Sequence, residues 1–326
     1  MIINIFRHAK AISILIILSL CVVVWMGISF ESANTPENTS NFFYNFLISL
    51  FESKPILERL FLGTFIFWQC MLMNELMVGQ KIISNNSFFP ALFYFLLISI
   101  SPEVIQLNST ILSMVFLILS LKKILSSYLD KNAYSKIFDS AFLISFAGLI
   151  NPSFLVFIPM IWIGMSIFSQ VEWRHWISSI IAIICPWFIV LSISKFFEFE
   201  KVIFNSFSFF LIEKQQAYTL SLGDVLNLTI YGFLITIALI ELITSLRQKN
   251  IKARKAYILL LWMIPFSIAF GFVSNHHFHI KLLLLAIPLS AIISNYFYYS
   301  KKTNWLNFLI FVLTTVMIAN HLFKLY

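Results

Sequence analysis

Eleven apolar stretches run the length of this chain, most of them about as long as a bilayer is thick, with the basic clusters between alternate pairs. A helix needs roughly 20 apolar residues to cross a hydrocarbon core of about 30 Å. The stretches are continuous, whereas barrel strands would alternate apolar and polar residues. With 60% hydrophobic and 11% charged residues, the 326-residue chain has too little polar surface to coat a soluble domain. The chain is therefore expected to be all-α: a polytopic transmembrane helix bundle of about 11 spans, forming a single integral membrane domain over 1–326. The spans fall at 11–29, 60–78, 88–101, 107–121, 139–150, 153–169, 175–196, 224–246, 256–273, 280–298 and 305–322.

Charge sets the orientation. With a cytoplasmic N-terminus, the inner loops hold Arg7, Lys10, Lys81, Lys122, Lys123, Lys131, Lys136, Arg174, Arg247, Lys249, Lys252, Arg254, Lys255, Lys301 and Lys302. Only Lys54, Arg59, Lys195, Lys201, Lys214, Lys281 and Lys324 fall outside, a 15 to 7 division of the 22 basic residues. That asymmetry follows the positive-inside rule. Juxtamembrane Lys and Arg beside anionic headgroups also account for the net charge of +8, and no basic groove in a soluble segment points to nucleic acid.

Arg7 and Lys10 precede an apolar run longer than a secretory core, with no small-residue cleavage site after it, which reads as an uncleaved anchor. Cys21, Cys70 and Cys185 all lie within spans and suggest neither a disulfide framework nor a zinc site, so no metal or cofactor is indicated. Eight glycines leave no phosphate loop and little scope for close small-residue helix packing. The 37 phenylalanines read as bulky filler between helices and toward lipid. Apart from Asp139 and Asp224 at the very ends of their spans, only Glu75 and Glu241 are acidic within the spans, both near inner ends, which weakens a proton-pump or ion-coupled transporter reading.

Three outer places could carry chemistry. The loop Phe30 to Asn38 holds Glu31 and Glu37 without a basic residue and leads into Phe42 to Phe51, a stretch too short to span that suits an interfacial helix. A carboxylate there could serve as a general base, or the loop could simply be a solvated acidic turn. In the turn Ser101-Pro102-Glu103 to Asn108, Glu103 could act chemically or pair with Arg59 or Lys54. The run Asn275-His276-His277-Phe278-His279 holds half of the chain's histidines. His276 and His279 would share a helix face, where imidazoles could meet a phosphate, offer two of the three or four ligands a metal needs, or form a polar aromatic rim.

One segment carries a resemblance. From Thr110 to Phe168 the chain reads span, basic loop from Leu121-Lys122-Lys123 to Lys136-Ile137-Phe138-Asp139, then two short spans broken at Asn151-Pro152. With Glu172-Trp173-Arg174-His175-Trp176 it resembles an uncharacterised family of bacterial multi-spanning inner-membrane proteins, most closely over 85–200. More remotely it is similar to the GT-C glycosyltransferases, which use a polyprenyl-phosphate-linked sugar. They share an acidic first outer loop, a basic inner loop and paired short helices around a proline break. That similarity implies a GT-C-like arrangement, with Glu31 or Glu37 in place of the first-loop acid and Glu103 or Asn108 at the second-loop position. The chain departs in offering Glu where Asp is usual and in having no large outer domain after the spans.

Two functions remain open on these grounds. One is a transferase at the outer face of the bacterial inner membrane, with Glu31, Glu37 and Glu103 catalytic and Arg59, Asn108, His276, His277 and His279 binding the substrate. The other is a non-enzymatic scaffold or subunit of an envelope complex, with membrane lipid and other envelope proteins as partners. An enzyme would bring one of the carboxylates within about 10 Å of His276 or His277 around a groove open to lipid.

Overall fold

The computed structural model describes residues 2–8, 10–27, 42–51, 54–83, 87–100, 107–130, 133–168, 172–196, 222–274, 278–300 and 302–323. Every regular element among them is helical. In chain order they are α1 (Ile2–His8), α2 (Lys10–Gly27), α3 (Phe42–Ser49), α4 (Pro55–Gly79), α5 (Phe89–Ile98), α6 (Ser109–Ser126) and α7 (Ala133–Ile150). A 3-10 turn, Pro152–Phe157, leads into α8 (Ile158–Phe168) and α9 (Trp173–Phe196). Then come α10 (Leu222–Ser245), α11 (Ile251–Val273), α12 (Phe278–Leu282), α13 (Ala286–Tyr299) and α14 (Thr303–Phe323).

Seven of the described helical segments are long and apolar enough to cross a membrane: Ile56–Gly79, Ser109–Ser126, Ala133–Ile150, Trp173–Lys195, Val225–Gln248, Ile251–Val273 and His279–Tyr299. Four shorter apolar segments, Ala11–Val24, Phe89–Ile98, Pro152–Phe168 and Thr303–Ile318, complete the set. Together they fall, in order, on the eleven apolar stretches.

Burial separates central helices from peripheral ones. The sequence of α5, Phe-Pro-Ala-Leu-Phe-Tyr-Phe-Leu-Leu-Ile, is apolar all round, and every one of its residues is buried. A helix without a polar face suits lipid and protein interior alike, and it is packing that puts α5 at the centre of the bundle. Its ten residues rise about 15 Å, half the thickness of a hydrocarbon core. The stretch at 88–101 thus forms a shorter helix than expected. Aromatic packing binds α5 to α13 and α1, with ring centroids 4.5 Å apart for Phe93 and Phe297 and 6.2 Å for Phe6 and Phe89. By contrast, α9 lies at the periphery and exposes Ile177, Ile180, Ile181, Ile184 and Phe188, a stripe at helical spacing suited to lipid.

The break at Asn151-Pro152 is present. Asn151 ends α7 in an extended conformation (φ −138°, ψ 104°), and its side chain accepts from the Ser153 N–H to start the 3-10 turn. Pro152 has no N–H to continue the helix. The helix before the break is longer than the sequence suggested, starting at Ala133 rather than 139. Two basic residues tie this extra turn down: Lys136 pairs with Asp130 and donates to the Ser126 carbonyl, and Lys123 meets Asp139 at 2.7 Å. The expected loop is therefore mostly helix.

These contacts mark a basic end of the bundle. There Glu75 of α4, half-exposed, pairs with Lys122 of α6 at 2.7 Å. The last turn of α4 closes with Lys81 in the left-handed region (φ 57°), Ile82 N–H donating to Met77 O and Lys81 N–H to Val78 O. Arg7 of α1 reaches the C-terminus of α13, its Nη2 donating to the carbonyls of Phe297, Tyr298 and Ser300 at 3.2, 2.9 and 3.4 Å. A cation there complements the negative end of the helix dipole. The stretch after the first span forms α3, as a short helix, and is anchored by Tyr44, whose hydroxyl donates to Leu107 O at 2.6 Å.

Candidate functional site

Glu31, Glu37, Glu103, His276 and His277 lie outside the described residues, and so does the expected approach of a carboxylate to the histidines. The other three candidates are placed. Asn108 is buried and caps α6: its extended backbone (φ −129°, ψ 154°) lets Oδ1 accept from the Ile111 N–H at 2.8 Å. His279 is buried in α12, and Arg59 is half-buried near the start of α4. Gln69 Nε2 donates to Ile111 O, so Gln69 marks the level of the first turn of α6. Arg59 sits about 15 Å further along α4. Arg59 and Asn108 are thus at different heights, with Asn108 sunk below the end of α4.

Around Asn108 the buried polar groups satisfy one another across helices. Tyr94 OH donates to Gln69 Oε1 at 2.9 Å, and Gln69 passes the chain on to Ile111 O at 2.7 Å. Asn151 Nδ2 donates to Ser109 Oγ and Thr110 Oγ1, both at 3.2 Å. Ser113 of α6 donates to Ala147 O of α7. These amides and hydroxyls hold no charge near neutral pH. They lock α4, α5, α6 and α7 together, since an unmet polar group in an apolar interior is costly.

The opposite case stands at the basic end, where Lys249 lies between the segments Val225–Gln248 and Ile251–Val273. Its Nζ donates to Asn295 Oδ1 of α13 at 2.6 Å and lies 4.0 Å from the Tyr299 ring centroid and 5.2 Å from that of Tyr257. Two aromatic faces and an amide oxygen thus form a cage for the ammonium. Burial pushes Lys249 down to about 8, against the upward pull of the Glu241 carboxylate of α10. Glu241 is not within ion-pair reach, as the ion pairs among the described residues involve other groups.

Two donors at this cage are unmet. Asn295 Nδ2 and Tyr257 OH are fully buried and have no hydrogen-bond partner among the described residues. Each such group costs roughly 1–3 kcal/mol. The amide orientation is fixed chemically, because turning it over would point Nδ2 at the ammonium. Sequence reading placed Lys249 only among the inner basic residues. The available signal was the helical spacing of Asn295 and Tyr299, which puts both on one face one turn apart. That this face meets Lys249 is a matter of tertiary packing. No group of three or more His, Cys, Asp or Glu able to hold a metal occurs among the described residues.

An all-helical membrane protein is the class these features define. The chain belongs to the family of unknown function DUF6427, whose profile matches residues 41–326. No curated protein and no solved structure matches it.

Proposed function

We propose that the chain is an eleven-span protein of a bacterial inner membrane, its N-terminus in the cytoplasm, and that it works as a membrane-embedded scaffold or subunit of an envelope complex. One observation carries the scaffold reading. The interior polar groups Gln69, Tyr94, Ser113 and Asn151 join one helix to the next, and no Asp or Glu is buried among the described residues. A bundle cross-linked in this way is a rigid platform, poorly suited to the rocking halves of a transporter. The basic end, with its ion pairs and Arg7 latch, supports the assignment of that end to the cytoplasm.

A second reading, a GT-C-like transferase acting on a polyprenyl-phosphate-linked sugar at the outer face, draws support from the helix break at Asn151-Pro152 and the buried helix cap at Asn108. Glu31, Glu37 and Glu103 would then supply the base.

Two experiments decide. Reporters fused after residues 130 and 250 should read cytoplasm, and those after 36, 208 and 277 the opposite side; a cytoplasmic signal at 277 would overturn the eleven-span topology. Glu31→Gln, Glu37→Gln and Glu103→Gln should each complement a deletion strain in full. Loss of complementation by one of them at normal expression would reject the scaffold in favour of the transferase.

A further inference from the structure

The geometry points to a phosphate-binding site at the basic end, in which the Lys249 ammonium, the Asn295 side-chain amide and the Tyr257 hydroxyl together receive the oxygens of a phosphate ester or free phosphate. Three observations converge. Lys249 Nζ is pinned by one hydrogen bond to Asn295 Oδ1 at 2.6 Å, and an ammonium has three donors, so two remain to be given. The same amide presents Nδ2 without a partner, and Tyr257 presents its hydroxyl without one, both in full burial. Buried donors left open beside a cation, with no carboxylate in ion-pair reach, call for an acceptor bearing several oxygens and negative charge.

Lys249 lies just before α11, whose N-cap Asn250 makes no side-chain capping bond and whose first turn contains no acidic residue. The C-terminal ends of the Val225–Gln248 segment and of α13 meet it there, so the helix dipoles oppose one another and the attraction for an anion comes from the ammonium and the two open donors. Tyr299, 51% exposed, forms the outer wall, and Lys249 is half-exposed, so the ammonium borders the water side, while an anion must displace side chains to reach the two buried donors. The two rings hold the ammonium in place before the ligand arrives, which reduces the ordering cost of binding. At the boundary of a membrane the phosphate could belong to a lipid headgroup or come free from solution. Both present the same oxyanion.

The test uses the full chain in dodecyl maltoside micelles and phosphate-free buffer, so that the reference state holds no phosphate. Thermal unfolding would be followed in the detergent alone, with added phosphatidylglycerol, and with added inorganic phosphate. Wild type should gain stability with phosphatidylglycerol, with phosphate, or with both. A gain with the lipid alone identifies a headgroup site; a gain with inorganic phosphate identifies a soluble ligand. Lys249→Met should weaken that binding roughly tenfold or more, as loss of a charge-assisted contact does. Tyr257→Phe should leave the unliganded protein at least as stable as before, because the hydroxyl has no bond to lose and its unmet burial is relieved, yet reduce the ligand-dependent gain several-fold. No gain in wild type under any of the conditions would overturn the site. So would gains of equal size in wild type, Lys249→Met and Tyr257→Phe.

Discussion

Replacing Gln69 by Leu tests whether the buried polar network is structural glue. Gln69 joins Tyr94 OH, at 2.9 Å, to Ile111 O, at 2.7 Å, and both Gln69 and Tyr94 are fully buried. Leucine fills a similar volume but leaves the Tyr94 hydroxyl without a partner, at a cost of roughly 1–3 kcal/mol. Ile111 O suffers less, since a carbonyl within α6 keeps its helical bond. Tyr94→Phe alone orphans Gln69 Oε1 and should cost about 1–2 kcal/mol. In the double variant both polar partners are gone, and apolar groups of the same shape replace them almost neutrally. The singles should therefore sum to more than the double, with a coupling of about 1–2 kcal/mol, the upper part of the range for polar contacts between membrane helices. Reversible denaturant unfolding of the full chain in mixed micelles, read by tryptophan fluorescence, measures all four corners of the cycle. Additivity within about 0.5 kcal/mol would refute the argument. The double variant should also complement a deletion strain; a stable but inactive double variant would show that these groups work on a ligand rather than on the fold.

Two further outcomes follow from packing and charge. Gly164→Ala should lower stability by about 1 kcal/mol, because the new Cβ would stand 2.6 Å from Cγ2 of β-branched Ile124 and the helix-propensity gain cannot offset the overpacking. Gly232→Ala, with nothing within 4 Å of its Cβ, should instead raise stability by up to about 1 kcal/mol; equal signs in thermal unfolding would contradict this contrast. Lys249 is pushed down to about 8 in the folded chain, so between that value and the ordinary lysine range the unfolded chain binds more protons. The cost of caging the charge is thus fully present below about pH 8 and is relieved as pH rises through it, with Glu241, Tyr257 and Tyr299 as the titratable groups facing the ammonium. Stability of the unliganded protein should rise from about pH 8 toward about pH 10, in the ordinary lysine range, and Lys249→Met should lose that rise.

Much of the fold was legible one segment at a time. Apolar runs in a lipid solvent must close their backbone hydrogen bonds internally, so helices appear wherever those runs stand. Pro152 ends a helix through its own ring and missing N–H, and Asn108 caps one through its own side chain, so both positions could be marked from local chemistry. The true start of α7 was not legible, because Lys136 and Lys123 extend the helix by finding partners at Asp130, Ser126 and Asp139, and charge counting treats such residues as a solvated loop.

The sequence by itself determined the solvent, the order of the helices and the end at which the positive charge collects, since each of these depends on the composition of a contiguous stretch. Only the tertiary structure decided which helices are central and which polar groups meet. Lys249 and Asn295 stand 46 residues apart, and Arg7 closes on carbonyls some 290 residues away. No periodicity within one helix specifies the neighbour that its polar face will meet. That choice is made when all the faces pack at once, and it is there that Lys249 acquires its cage, with two donors left open beside it.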